Sequence, residues 1–365
     1  MKRLSLILVL ALCVSLLAGC AGTPVVYQTN CTCPVEAHTP AETTAPAVKE
    51  TVAAEAPAVE GALKTGLYIS AGIGESKNAT AEENGEGKYD VTMVAVLVDD
   101  EGIIRDCIID GIAASVEFDG KGVITSDLTA APQTKNELGE NYGMVAWGGA
   151  IAEWDQQAAA LASYAVGKTV EELKSGAIDE TGKAPAGSDL ASSATIYLGG
   201  YVAAIEKAVA NAVHLGAQAG DELKLACVNG IDSSASAGEK DGTAQLDSTV
   251  TALTVKDGVI TSCTIDAVQA KVSFDAAGTI TSDLTAPVQT KNELGEGYGM
   301  VAWGGAIAEW DAQAAAFASY VTGKTVAEVS GIAVDESTHP TDADLASSVT
   351  IAIGGFQALI AKAAR

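Results

Sequence analysis

The chain carries the same long statement twice. Residues Ser126–Tyr164 and Ser282–Tyr320 agree at 34 of 39 positions, at an offset of 156 residues. The same offset, without a gap, pairs Gly66–Gly74 with Glu222–Gly230 and Glu101–Asp110 with Asp257–Asp266. A period of this length exceeds the units that stack into solenoids, so each copy is expected to be a whole domain. The expected boundaries are 63–213 for the first repeat and 214–365 for the second. A site built by one copy should then exist in both, and a residue present in one copy alone is a poor candidate.

Each repeat reads in the same order. Val91–Val98 and Ser248–Val255 are β-branched runs with partial alternation, the mark of strands. They stop at Asp100-Glu101-Gly102 and Lys256-Asp257-Gly258 and restart as Ile103–Ile109 and Val259–Ile265, a hairpin pattern that is stronger for Asp257-Gly258. A second hairpin is expected at Phe118–Thr125 and Phe274–Thr281, followed by a Gly-containing loop. Helices are predicted over about Gly149–Val166 and Gly305–Val321, with Ile151, Trp154, Ala158, Leu161 and Ala165 as the apolar stripe of the first. Gly167 and Gly323 suit helix C-termini. A second Ala-rich helix closes each copy, over about Ile196–Ala212 and Ile351–Ala364. Strands first and helices after give an α+β fold: two tandem homologous domains, each an antiparallel sheet built from hairpins and packed with two helices.

Ahead of the repeats, Met1–Cys20 has Lys2 and Arg3, an apolar run from Leu4 to Leu17, and then Leu17-Ala18-Gly19-Cys20. The run reads as a secretory signal. Its end resembles the bacterial lipoprotein lipobox, which implies cleavage before Cys20, a lipid on that thiol and anchoring outside the cytoplasm. Residues 21–62 are Ala, Pro, Thr, Val and Glu without amphipathic period, the composition of a disordered tether. Cys31 and Cys33 lie in it, either a redox or metal handle, unpaired tether thiols or a strained bridge. A formal charge of −26 argues against nucleic-acid binding, which needs a basic footprint. The three histidines, His38, His214 and His339, have no counterparts in the other copy, so no His-based metal site or Ser-His-Asp centre is duplicated.

Val255-Lys256-Asp257-Gly258-Val259-Ile260-Thr261 between two strands, with a weaker echo at Asp100–Arg105, resembles the small FMN-binding domain of bacterial envelope proteins. So do Val166-Gly167-Lys168-Thr169 and Thr322-Gly323-Lys324-Thr325 at the ends of the first helices. That family carries an attachment motif, Asp-x-x-Ser/Thr-Gly-Ala-Thr, before its last helix. Asp189-Leu190-Ala191-Ser192-Ser193-Ala194-Thr195 and Asp344-Leu345-Ala346-Ser347-Ser348-Val349-Thr350 occupy that place. The resemblance implies FMN joined covalently to Thr195 and Thr350 by a flavin transferase, with Asp189, Asp344, Ser192 and Ser347 as motif residues. A membrane reductase is implied as the electron donor. The chain departs from the motif at Ser193, Ser348 and Val349, and has an added segment, about Thr129–Ser163. Glycine there would allow φ > 0 or close approach, and a β-branched Val next to the acceptor would crowd it. The same stretches also read as ordinary helix N-caps.

All four tryptophans fall in the most repeated segment. Trp154 and Trp310 lie on the helix stripe and read as core, whereas Trp147 and Trp303 sit in Gly-flanked loops. There a ring either packs under the loop or stacks on an isoalloxazine or a sugar. Lys135, Glu137, Lys291 and Glu293 are either ligand contacts or solvated charges. Cys107, Cys263 and Cys227 read as buried small hydrophobes, Cys227 standing at the position of Ala71. Two functional readings follow, an electron carrier or a binding protein rather than an enzyme with a substrate of its own. One is a tethered lipoprotein carrying two flavins for extracellular electron transfer; the other is a flavin-free surface module that uses the Trp147 and Trp303 loops.

Overall fold

The computed structural model describes residues 61–365. Cys20, Cys31, Cys33, His38 and nearly all of the expected tether lie outside the described residues. The first repeat runs β1 (Lys64–Gly72), β2 (Gly85–Val98), β3 (Ile104–Phe118), α1 (Lys135–Leu138), α2 (Met144–Gly148), α3 (Trp154–Ala165), α4 (Val170–Ala177) and α5 (Gly199–Ala210). The second runs β4 (Glu222–Gly230), β5 (Gly242–Lys256), β6 (Val259–Phe274), α6 (Lys291–Leu294), α7 (Met300–Gly304), α8 (Trp310–Val321), α9 (Val326–Ser330), α10 (Ala343–Ala346) and α11 (Gly354–Ala363). Each repeat is thus a three-stranded antiparallel sheet, ordered β1-β2-β3 or β4-β5-β6, with helices. The fold is α+β. Short helices (α1, α2 and α4; α6, α7, α9 and α10) stand beside the two long ones expected per copy. No helix among the described residues is long and apolar enough to cross a membrane.

The central strands explain how the layers stack. In β2, Val91, Met93, Ala95 and Leu97 point to one face, and Val94, Val96 and Val98 to the other. Both sets are buried, which is why the alternation along this strand is only partial and Met93–Val98 is continuously apolar. The first set meets the inner face of the other sheet, including Leu246, Val250, Val268 and Val272. The second set lies under its own helices with Trp154, Leu161, Leu198 and Ile205. The other sheet does the same with Leu253, Ile260 and Ile265 beneath Phe317, Leu359 and Ile360. The molecule is therefore four layers, helices–sheet–sheet–helices, and the two repeats share their innermost core within one compact unit.

The repeats meet about a pseudo-twofold axis. Phe118 and Phe274, the last residues of β3 and β6, stack face to face with centroids 3.9 Å apart and planes 3° from parallel. Ala79 N–H donates to Gly278 O at 2.9 Å, and Ala237 N–H donates to Gly122 O at 2.7 Å. Gly122 and Gly278 have φ of +66° and +69°, and a Cβ on either would come within 2.7 Å of a backbone carbonyl of the other repeat. The crossing has no room for a side chain.

Local differences between the copies correct the ungapped alignment. Asp257-Gly258 forms the expected two-residue turn, both at positive φ (50° and 79°), whereas the first copy needs the longer Asp99–Ile103 loop. Leu67 pairs with Ala95, which pairs with Ile108; Leu225 pairs with Ala252, which pairs with Thr264. Ile108 and Thr264 are 156 residues apart (264 − 108), so Leu67 corresponds to Leu225, an offset of 158 (225 − 67). On this register Cys227 stands at the position of Ile69, not of Ala71. The segment before α3 also differs from expectation. The helix begins at Trp154, and Ile151, read as part of its stripe, is exposed ahead of it. Trp154, Ala158, Leu161 and Ala165 are buried as the stripe requires.

Candidate functional site

The motif threonines stand on a turn built from their own segment. After Asp189, residues Leu190–Ser192 make one 3-10 turn, in which Ser192 Oγ donates to Asp189 O at 2.6 Å and Ala194 N–H to Leu190 O at 2.8 Å. In the second copy α10 takes this place, and Ser347 Oγ donates to Asp344 O at 2.7 Å. Ser192, Ser347, Asp189, Asp344, Thr195 and Thr350 are exposed. The following helices start at Gly199 and Gly354, with Leu198 and Ile353 as N-caps that offer no side-chain bond. The N-cap reading of Ser193, Thr195, Ser348 and Thr350 is therefore corrected, because the chain runs on past each threonine before its helix begins.

What holds the threonines is a glutamine that carries no motif signal. Gln157, fully buried on α3, accepts from Thr195 N–H at 2.8 Å, Thr195 Oγ1 at 3.3 Å and Ile196 N–H at 3.2 Å. Gln313 on α8 accepts from Thr350 N–H, Thr350 Oγ1 and Ile351 N–H at 2.8, 3.2 and 3.2 Å. The two turns are thus replicas. Ser193 has φ −117°, and Ser348 is not at positive φ, so neither backbone demands glycine. Val349, like Ala194, is buried in the helix-side core, so its extra methyl groups fill the interior and leave the hydroxyl face uncrowded.

The same glutamines tie the threonines to the tryptophan loops. Gln157 Nε2 donates to Ala152 O, and Gln313 Nε2 to Ala308 O, each at 2.8 Å. Ala152 ends a rigid segment. α2 lies between Gly143 and Gly149, both left-handed (φ +81° and +63°), and its first N–H groups are bound by the buried Glu153 carboxylate, Met144 at 2.8 Å and Val145 at 3.0 Å. Glu309 does the same for Met300 and Val301 at 2.8 and 3.0 Å. Trp147 and Trp303 ride on these turns with 92% and 87% of their surface exposed, joined by exposed Val145, Ile151, Val301 and Ile307. They do not pack under their loops. Covering such a ring removes enough apolar surface to be worth several kcal/mol, yet here it stays in water.

Other sequence candidates take structural places. Thr134 and Glu137 form a reciprocal cap on α1, as Thr290 and Glu293 do on α6, a pattern legible as Thr-x-x-Glu. Lys135 is buried rather than solvated, its ammonium 5.0 Å from the Trp154 ring centre and 3.3 Å from Asp90. Burial pulls its pKa down, but Asp90 and the neighbouring tyrosines outweigh that and leave it raised. Lys291 lies 4.7 Å over Trp310. Gly167 follows α3 in the left-handed conformation and Thr169 caps α4, so the Val-Gly-Lys-Thr run connects the two helices and is tied to Ile104 by two backbone hydrogen bonds. Cys107, Cys227 and Cys263 are free and buried. Burial raises all three thiols, Cys227 and Cys263 to about 12. No group of three or more potential metal ligands occurs among the described residues.

Comparison with protein-family models, with curated proteins and with solved structures gives no match.

Proposed function

We propose that the protein is a lipid-anchored extracytoplasmic flavin carrier with one covalent FMN site per repeat, at Thr195 and Thr350. One observation carries the reading: in both copies an exposed threonine hydroxyl sits on a turn fixed by a buried glutamine, and that glutamine also fixes an exposed tryptophan loop. A hydroxyl that must reach a transferase has to be accessible, and a tricyclic ring needs an apolar surface beside its point of attachment. Thr195 and Thr350 would bear the phosphodiester, and Trp147 with Ile151, or Trp303 with Ile307, would flank the ring. The flavin supplies the electron transfer; the chain supplies position and surroundings. The anchor is the Cys20 lipid, and the partners are a membrane reductase and a flavin transferase.

The bare exposure of Trp147 and Trp303 also favours a second reading, a flavin-free surface module that binds its ligand on these rings. Intact mass of the protein from its native host, or made with a flavin transferase, separates the two. One or two FMN units, each less one water and each lost on Thr195→Ala or Thr350→Ala, support the carrier. An unmodified mass with no retained flavin rejects it and leaves the tryptophan loops as the binding surface.

A further inference from the structure

Two clefts run along the seams between the repeats, and they are built from corresponding parts. In one, Asp110, Asn136 and Glu137 of the first repeat face Leu225, Ala226 and Cys227 of β4. In the other, Asp266, Asn292 and Glu293 of the second repeat face Leu67, Tyr68 and Ile69 of β1. Asn136 N–H donates to Asp110 Oδ1 and Asn292 N–H to Asp266 Oδ1, both at 3.1 Å. Glu137 Oε2 and Glu293 Oε2 each accept from a cap threonine N–H at 3.0 Å, which turns the second carboxylate oxygen towards the cleft.

The clefts differ in what answers that oxygen. In the first, the Lys362 ammonium from α11 pairs with Glu137 Oε1 and donates to Cys227 O at 2.7 Å, with Arg365 beside it. In the second, the counterpart of Lys362 is Lys207 of α5, which is exposed, forms no ion pair with Glu293 and does not line the cleft; Asn211 lines it instead, its amide spent on Leu67 O at 3.0 Å. No cation among the described residues pairs with Glu293. The space in the second cleft is about 320 Å³, with Leu67 and Ile69 as an apolar wall. Lys362 thus shows, inside this molecule, what the first cleft accepts: an ammonium on an alkyl stem. Too few carboxylates converge in the second for a metal ion.

We infer that the Glu293 cleft binds a small alkylammonium ligand, its charged head on Glu293 and its methylene stem along Leu67 and Ile69, where Lys362 serves as the built-in equivalent in the Glu137 cleft. A charge-assisted hydrogen bond in a partly enclosed site is the strong kind, and an apolar stem adds to it by burial. This assignment is independent of flavin attachment.

The test is calorimetric titration of the purified chain with 1,5-diaminopentane at physiological salt, where diffuse attraction to an acidic surface is screened. One equivalent should bind. Glu293→Gln should weaken it by about tenfold or more, while Glu137→Gln should leave it unchanged; glutamine preserves the helix cap in both, so folding is maintained. Lys362→Ala combined with Arg365→Ala should raise the stoichiometry from one to two. Absence of binding, or binding insensitive to Glu293→Gln, overturns the assignment. So does binding of Nα-acetyl-lysine amide alone, which would give the cleft to a partner protein's lysine instead.

Discussion

The interior between the sheets and the outer helical faces treat the two repeats in opposite ways. Where the copies pack against each other, several corresponding positions differ (Ile69 against Cys227, Val91 against Ser248, Tyr89 against Leu246, all buried), although the stacked Phe118 and Phe274 are alike. Ser248 even leaves its hydroxyl without a hydrogen-bond partner. In the segment that carries the tryptophan loops and the helix behind them, 34 of 39 residues are the same; its first part lines the seams through Glu137 and Val288, but the loops themselves lie in water. Packing accounts for the first pattern, because a core asks only that summed volumes fit and lets each half compensate the other. It does not account for the second, since an exposed ring such as Trp147 or Trp303 stabilises nothing. The outer faces are where the chemistry is to be sought.

The largest effect should come from the centre of the shared core. Phe118→Ala removes a fully buried ring stacked on Phe274 and should cost about 3–5 kcal/mol. Because both sheets lose their contact, chemical denaturation should show one transition for both repeats at a lower midpoint; two separate transitions would mean that the halves are independent.

Next come the seams, where Asp110 and Asp266 are pushed up to about 6, chiefly by burial, with bonds from Thr134 and Thr290 opposing and Glu137 and Glu293 adding. Each holds its proton more firmly folded than unfolded, where the value is near 3.8. Stability should therefore fall as pH rises from about 4 to 6 and this contribution should level off above, by at most ~2–3 kcal/mol per residue. Denaturation of the chain and of Asp110→Asn with Asp266→Asn across that window isolates the contribution, and parallel curves would refute it.

Gln157→Ala strands Thr195 and Ile196 N–H and should cost about 1–3 kcal/mol. On the proposed function it should also depress flavin loading at Thr195 and spare Thr350, a difference that peptide mapping reads directly. The smallest effect belongs to Trp147→Ala and Trp303→Ala, which should move stability by no more than ~0.5 kcal/mol. A larger loss in either would show the ring to be packing after all.

Much of the fold was legible because strands and turns are local. The Asp257-Gly258 turn and the two long helices follow from spacing alone. The two-residue shift of β1 against β4 does not, since one residue comes from the Asp99–Ile103 turn and one from the longer connection between β1 and β2, and it shows only when the strands are paired. The shared core was hidden because a strand buried by helices on one face and by a second sheet on the other reads the same as one buried in a domain of its own. At the candidate site, Thr195, Thr350, Trp147 and Trp303 were visible as motif and composition. Gln157 and Gln313 were not, Gln157 standing beside a second glutamine and Gln313 among alanines; their one sequence signal was a polar residue three after Trp154 and Trp310, on the face of the stripe.

The four-layer stack also sets a least separation for the two threonines. Thr195 belongs to the helical layer of the first sheet and Thr350 to that of the second. Three interlayer steps of about 10 Å separate those layers, roughly 30 Å in all. Two redox groups held there would be insulated from each other by both sheets and would not share charge along the chain. On the proposed function each would have to be filled and emptied through its own outer face, and the molecule would be a two-terminal store whose ends trade independently.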